Sequence, residues 1–97
     1  MTVEELLERY AAGERDFFGV DLSGAKLDKV NLSGANLSIA KLDGADLCRA
    51  NLSNTNLRGA SLTKWAQLLE INFTGADLTE ANLDTAEAMV LTSSTPF

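Results

Sequence analysis

Ala35-Asn36-Leu37-Ser38-Ile39, Ala40-Lys41-Leu42-Asp43-Gly44 and Ala45-Asp46-Leu47-Cys48-Arg49 follow one another without a break, three phrases of five residues built to one plan. The plan extends on both sides, from Arg15 to about Val90. Its centres are Phe17, Leu22, Leu27, Leu32, Leu37, Leu42, Leu47, Leu52, Leu57 and Leu62, then Leu68, Phe73, Leu78, Leu83 and Ala88, a step of five broken once. Two residues before each centre stands a second apolar residue, usually alanine, with Arg15 and Thr55 as exceptions. Between them lies a polar residue, mostly Asn or Asp. Six of the seven glycines close a unit: Gly19, Gly24, Gly34, Gly44, Gly59 and Gly75.

A period of five suits neither regular element. Each step moves the leucine about 140° round an α-helix, so no apolar stripe forms, and in a strand an odd step alternates the faces. The chain therefore has to turn once per unit. Within a unit, residues two apart point the same way, so Ala and Leu face inward and the Asn or Asp between them faces out. Glycine supplies the corner, where a tight turn takes positive φ. Short sides joined by corners make a polygonal coil, and coils stack by hydrogen bonding at about 4.8 Å.

The phrase Ala-(Asp/Asn)-Leu-x-x, present as Ala35-Asn36-Leu37, Ala45-Asp46-Leu47, Ala50-Asn51-Leu52, Ala76-Asp77-Leu78 and Ala81-Asn82-Leu83, resembles that of the pentapeptide-repeat family. The resemblance implies an all-β solenoid, a right-handed quadrilateral β-helix with four units per coil and the Leu and Ala side chains inside. On that frame residues 15–34 make the first coil, 35–54 the second, and two more follow to about residue 90. Residues 1–97 form one domain, with 91–97 as a tail that Pro96 ends.

Thr2 to Gly13 reads as an N-terminal α-helical cap. Thr2 and Glu5 form a capping box, Glu4 and Glu5 suit the positive end of the dipole, and Gly13 closes the helix. Val3, Leu6, Leu7, Tyr10 and Ala11 share one face, expected to lie over Phe17 and Leu22 and hide the open edge of the first coil. The helix's polar side is acidic, the wrong sign for anionic lipid.

The single break falls between Leu62 and Leu68 and makes Trp65 the surplus residue, expected in a corner bulge with its indole outward or along the wall. Leu69 and Met89 are expected to point outward near it. With Val90, Leu91 and Phe97 they form either a carboxy-terminal lid or a homodimer interface at that end; the alternative is a monomer. One wall, the fourth, carries Asn31, Ser33, Gly34, Asn51, Ser53, Asn54, Asn72, Thr74 and Gly75 and no charge. Asn31, Asn51 and Asn72 are expected to stack as an amide ladder, a stabilising device in itself and a candidate surface for a partner.

The inventory is poor in chemistry. The chain has no histidine and one cysteine, Cys48, so histidine-assisted catalysis, a histidine metal site, an internal disulfide and a thiolate zinc cluster are all excluded. Arg49 beside Cys48 is the one feature favouring an activated thiol. No catalytic residue, cofactor or metal is expected, nor any run long enough to span a bilayer or serve as a signal peptide. The expectation is a cytoplasmic, non-enzymatic protein that contacts other proteins and binds neither nucleic acid nor membrane.

Net charge, −6, raises a second reading, because some proteins of the resembled family are acidic rods that imitate DNA and inhibit or protect DNA gyrase. Half of that charge belongs to residues 1–14, and on the coils seven basic residues interrupt ten acidic ones. Four coils span about 19 Å, over which B-DNA carries about 11 charges, so a wall total of −3 is a poor imitation. A small-molecule carrier needs a cavity that alternating Ala and Leu leave no room for.

Overall fold

The computed structural model describes residues 1–84. Backbone pairing follows the repeat. Asp16 bridges Asn36, Asp21 bridges Lys41, Lys26 bridges Asp46 and Asn31 bridges Asn51, all parallel and all 20 residues apart. Among the described residues each unit contributes one bridged residue, or two at Ile71 and Asn72, rather than a longer strand, because the chain soon turns again. With one turn per five residues, bridged positions lie four units apart, and the chain presents four walls.

Each unit closes with one hydrogen bond. The Ala35 N–H donates to the Leu32 C=O (3.1 Å), and the same bond recurs at Ala40 to Leu37 and Ala45 to Leu42. The residue just before the donor has φ between +54° and +75° in the closed units. One positive φ at the third place of a four-residue turn is the type II arrangement. Glycine fills this corner where expected, but Lys29, Ile39, Arg49, Asn54, Glu70 and Glu80 adopt it as well. A glycine at each of these corners is thus favoured rather than required.

The core is a continuous column. Phe17, Leu22, Leu27, Leu32 and the following centres through Leu78 are buried, as are Ala35, Ala40, Ala45, Ala50, Ala60, Ala66, Ile71 and Ala76. Val20, Ala25 and Val30 of the first coil are only half-buried. Thr55, an exception to the repeat, is buried, and its hydroxyl donates to the Leu52 C=O (2.7 Å), which removes the cost of a polar group inside. Arg15, the other exception, stays outside, with its guanidinium 3.6 Å from the centre of the Tyr10 ring.

Helix α1 spans Val3–Ala11. The capping box is present, with the Glu5 N–H donating to Thr2 Oγ1 (3.1 Å) and the Thr2 N–H to Glu5 Oε1 (3.2 Å). The Gly13 N–H donates to the Tyr10 C=O and the Glu14 N–H to the Arg9 C=O, each at 3.0 Å, which closes the helix in a Schellman motif with Gly13 at φ +100°. Leu6 is buried in the column, Val3 and Tyr10 pack partly against it, and the Tyr10 hydroxyl donates to the Ser33 C=O (2.7 Å). The expected apolar face is narrower than its sequence. Leu7 and Ala11 face solvent, because the helix meets the column along a single line of side chains, Val3, Leu6 and Tyr10.

The break lies where the sequence places it. Bridges step by 20 residues up to Lys41 with Ser61 and by 21 from Asp46 with Gln67 onward. The surplus is absorbed at one corner, where the Ala66 N–H donates to the Thr63 C=O (3.2 Å) and both central residues have positive φ, Lys64 +54° and Trp65 +68°. This is a type I′ turn in place of type II. Leu62 and Leu68 on either side remain buried, so the insertion leaves the column undisturbed.

Ala45 sits fully buried at an inward position where four walls converge. Ala45→Leu is expected to overfill the axis and cost about 1 to 3 kcal/mol. Urea unfolding checks this, and a variant as stable as the parent would place residue 45 off the axis.

Candidate functional site

Most outward Asn and Asp side chains are fixed by the backbone of their own unit. Asn31 Oδ1 accepts from the Ser33 N–H (3.0 Å), Asn51 Oδ1 from the Ser53 N–H (3.0 Å) and Asn72 Oδ1 from the Thr74 N–H (2.9 Å). Asp16, Asp21, Asn36, Asp46, Asn56, Asp77 and Asn82 do the same for Phe18, Ser23, Ser38, Cys48, Arg58, Thr79 and Asp84. These are Asx turns, which explains the residue type at the position. Asp21 is held below its ordinary value by the Ser23 N–H, and Asp77 chiefly by the Thr79 hydroxyl.

Unit 60–65 lacks an Asx residue, having Ser61 in its place, and takes its acceptor from the coil beneath. Asp43 Oδ1 accepts from the Thr63 N–H (3.0 Å), from Thr63 Oγ1 (2.6 Å) and from Ser61 Oγ. The Ser61 hydroxyl first, then Thr63, holds the Asp43 carboxyl below its ordinary value of 3.8. Nothing in the five-residue pattern marks Asp43. The signal available was Ser61, a residue too short to cap its own turn.

The structure brings Asn31, Asn51 and Asn72 into register, bridged in sequence on the uncharged wall. Their amide oxygens serve their own turns, so register comes from backbone bridges and not from an amide-to-amide chain. Trp65 stands 64% exposed at its corner. Leu69 lies on the next wall, half-buried, and Met89 falls outside the described residues together with Val90, Leu91, Pro96 and Phe97. Exposed Phe18 and Ile39 were not singled out by the repeat, where they occupy variable places.

Cys48 is not activated. Burial first, then Asp46, pushes its thiol up, against smaller opposing effects of the Leu69 backbone and, last, of Arg49, and Arg49 itself pairs with Glu70 (3.1 Å) on the next coil. Arg58 pairs with Asp77 (3.2 Å) in the same way. The described residues hold no cluster of ligand side chains able to grip a metal, and no helix among them is long and apolar enough to cross a membrane.

The family model for pentapeptide repeats, in eight copies, matches residues 16–54, 31–64 and 64–87. The chain belongs to the pentapeptide repeat family. Pentapeptide repeat proteins are right-handed β-helices and are in general structural or interaction proteins. Among solved pentapeptide repeat structures it is similar to HetL of the cyanobacterium Nostoc sp. strain PCC 7120, a protein involved in heterocyst differentiation regulation (42% identity, TM-score 0.81, 84% of this chain and 34% of that one). It is also similar to alr5209 of the same cyanobacterium (36% identity, TM-score 0.76, 98% and 82%). A third, from the thylakoid lumen of Arabidopsis thaliana, has 30% identity and a TM-score of 0.69 over 82% of this chain and 57% of that one. The chain thus spans about a third of the length of HetL. No curated protein sequence matches it significantly.

Because its folded value lies below the ordinary one, Asp43 contributes stability above pH 3.8 that is lost as pH falls through the folded value. Asp43→Asn is expected to cost about 1 kcal/mol at neutral pH, the group being partly exposed. The gap between parent and variant should close in acid below the ordinary value. Urea titrations across that range check the sign, and a gap that widens in acid contradicts it.

Proposed function

We propose that this pentapeptide repeat protein is a right-handed, four-sided β-helix of about four coils, capped by α1, that works as a non-enzymatic, cytoplasmic scaffold for contact with another protein. The observation that carries this reading is the fixing of outward side chains. Each Asx turn ties a wall residue to its own backbone, so a row such as Asn31, Asn51 and Asn72 is preorganised and loses little freedom on docking. On the fourth wall these rows carry amides and hydroxyls without charge, chemistry suited to a polar partner surface at modest affinity. HetL's involvement in regulating differentiation accords with such a role.

Retrieval of partners from the native cell with tagged protein tests this, using Asn51→Lys as the control. The lysine adds a charge to the centre of the wall while the Leu52 column beneath is untouched. Loss of a specific protein from the retrieved set, with the variant still folded by circular dichroism, is the expected result. Identical retrieval by both proteins would clear the wall of that role. A gyrase supercoiling assay at micromolar protein decides the competing DNA-mimic reading, for which inhibition or protection from quinolones is required.

A further inference from the structure

The second wall has a symmetry that the other three lack. It consists of residues 20–24, 40–44, 60–65 and the stretch from Ala81, and both of its corners carry large apolar side chains standing out into solvent, Phe18 and Ile39 at one and Trp65 at the other. At the corner shared with the first wall the stack is Gly19, Ile39, Gly59 and Glu80. At the corner shared with the third it is Gly24, Gly44 and then the Lys64-Trp65 turn. Ile39 is 51% exposed and Trp65 64%.

Both residues occupy left-handed backbone, Ile39 at φ +62° and Trp65 at +68°, where glycine serves elsewhere at the same corners. For a β-branched or bulky residue that is costly, and exposure of either side chain recovers nothing in the single chain. Ile39 also leans toward the coil above. A Cβ added to Gly59 would stand 2.8 Å from Ile39 Cδ1, so the isoleucine's tip reaches the level of the Trp65 turn on the opposite corner. A Cβ on Gly44, directly beneath that turn, would meet only the Lys64 carbonyl, at 3.5 Å, so the surface over Gly44 carries no side chain of its own.

Between the corners, Lys41 and Asp43 flank the buried Leu42 on one coil. The bonds from Ser61 and Thr63 all fall on Asp43 Oδ1, and its second oxygen takes no part in them. Lys41 is exposed, and Asp21, bridged to it on the coil beneath, feels its charge without closing a direct ion pair.

We infer that this wall is the interface of a homodimer, two copies lying side by side with a two-fold axis parallel to the stacking direction. Rotation by 180° about that axis keeps each coil at its own level and exchanges left for right. Lys41 of each copy then faces Asp43 of the other, which gives two symmetric ion pairs on either side of the axis. Ile39 of each copy lies over the bare backbone of Gly44 of the other beside Trp65, and Trp65 rests on Ile39 over Gly59. Both contacts are isologous, as a two-fold interface demands. The wall carries Asp21, Lys41, Asp43, Lys64 and Asp84, with Glu80 at one corner, so acidic and basic groups nearly balance where the chain as a whole carries −6, and two copies meet here with less repulsion than a uniformly acidic surface would impose. Four coils at about 4.8 Å and a width of at most 24 Å limit one wall to roughly 500 Å² per copy, at the lower bound of what a specific interface needs. The dimer is therefore weak and concentration-dependent, and it is distinct from an end-to-end dimer at the carboxy terminus. It stands whether or not the fourth wall receives another protein.

Trp65 is the only tryptophan and reports the interface directly. Sedimentation and tryptophan emission are to be followed from roughly 10 μM to 1 mM protein. The expected result is a shift from monomer to dimer with a parallel move of emission to shorter wavelength. Lys41→Glu and Ile39→Glu should each weaken the dimer at least tenfold. Mixing Lys41→Glu with Asp43→Lys should restore a heterodimer, since the introduced glutamate of one copy then faces the introduced lysine of the other while the second pair stays native. Asp43→Lys gives up the Ser61 and Thr63 bonds, so a second mixture, Ile39→Glu with Trp65→Lys, makes the same test on exposed corners alone. A protein that stays monomeric throughout, a dimer indifferent to Lys41→Glu and Ile39→Glu, or failure of both folded mixtures to associate would each overturn the assignment.

Discussion

The hydrogen bond that closes each five-residue unit, from an inward alanine or its equivalent back to the leucine three residues before, is the constraint on which the rest depends. It bends the chain before a strand can grow and returns the next leucine to the same interior. Pairing between coils follows, because a backbone that turns this regularly comes back over itself after four units. The column forms as a consequence: a leucine and an alanine per unit are the only side chains the turn sends inward, and their volumes fill a narrow axis at close packing.

What the sequence made legible was whatever repeats. The inward residues, the corner glycines, the capping box of α1 and the extra residue at Trp65 each announce themselves as a pattern or as a breach of one. The conformations of Lys29, Ile39 and Glu80 did not, since positive φ at a non-glycine residue is imposed by turns already fixed on both sides. Nor did the width of the helix's buried face. Leu7 has the spacing of a core residue and remains outside because a single helix meets the column along one line, a tertiary fact that helical periodicity does not carry.

The surface was less legible than the core for a related reason. An Asn in this repeat reads equally as a ladder, a turn former or a docking group, and only the geometry makes turn formation its primary task. Asp43 illustrates the converse. Its place in the repeat is a variable one, yet it substitutes for the Asx side chain missing from the coil above, linking two coils through side chains as well as backbone. Cys48 shows how sequence adjacency misleads: the neighbouring Arg49 turns to Glu70, and the thiol is left to burial and Asp46.

Every bridge joins residues 20 or 21 positions apart, whichever coil it belongs to. The entropy of closing one loop is therefore the same for the last coil as for the first, and each new coil docks on a template already in place. Such a chain can lengthen by accretion, as a crystal adds layers, with the same loop to close at each further coil. The insertion at Trp65 shows that the template also tolerates a miscount: one misfit layer is accommodated at its corner, and growth resumes in step above it.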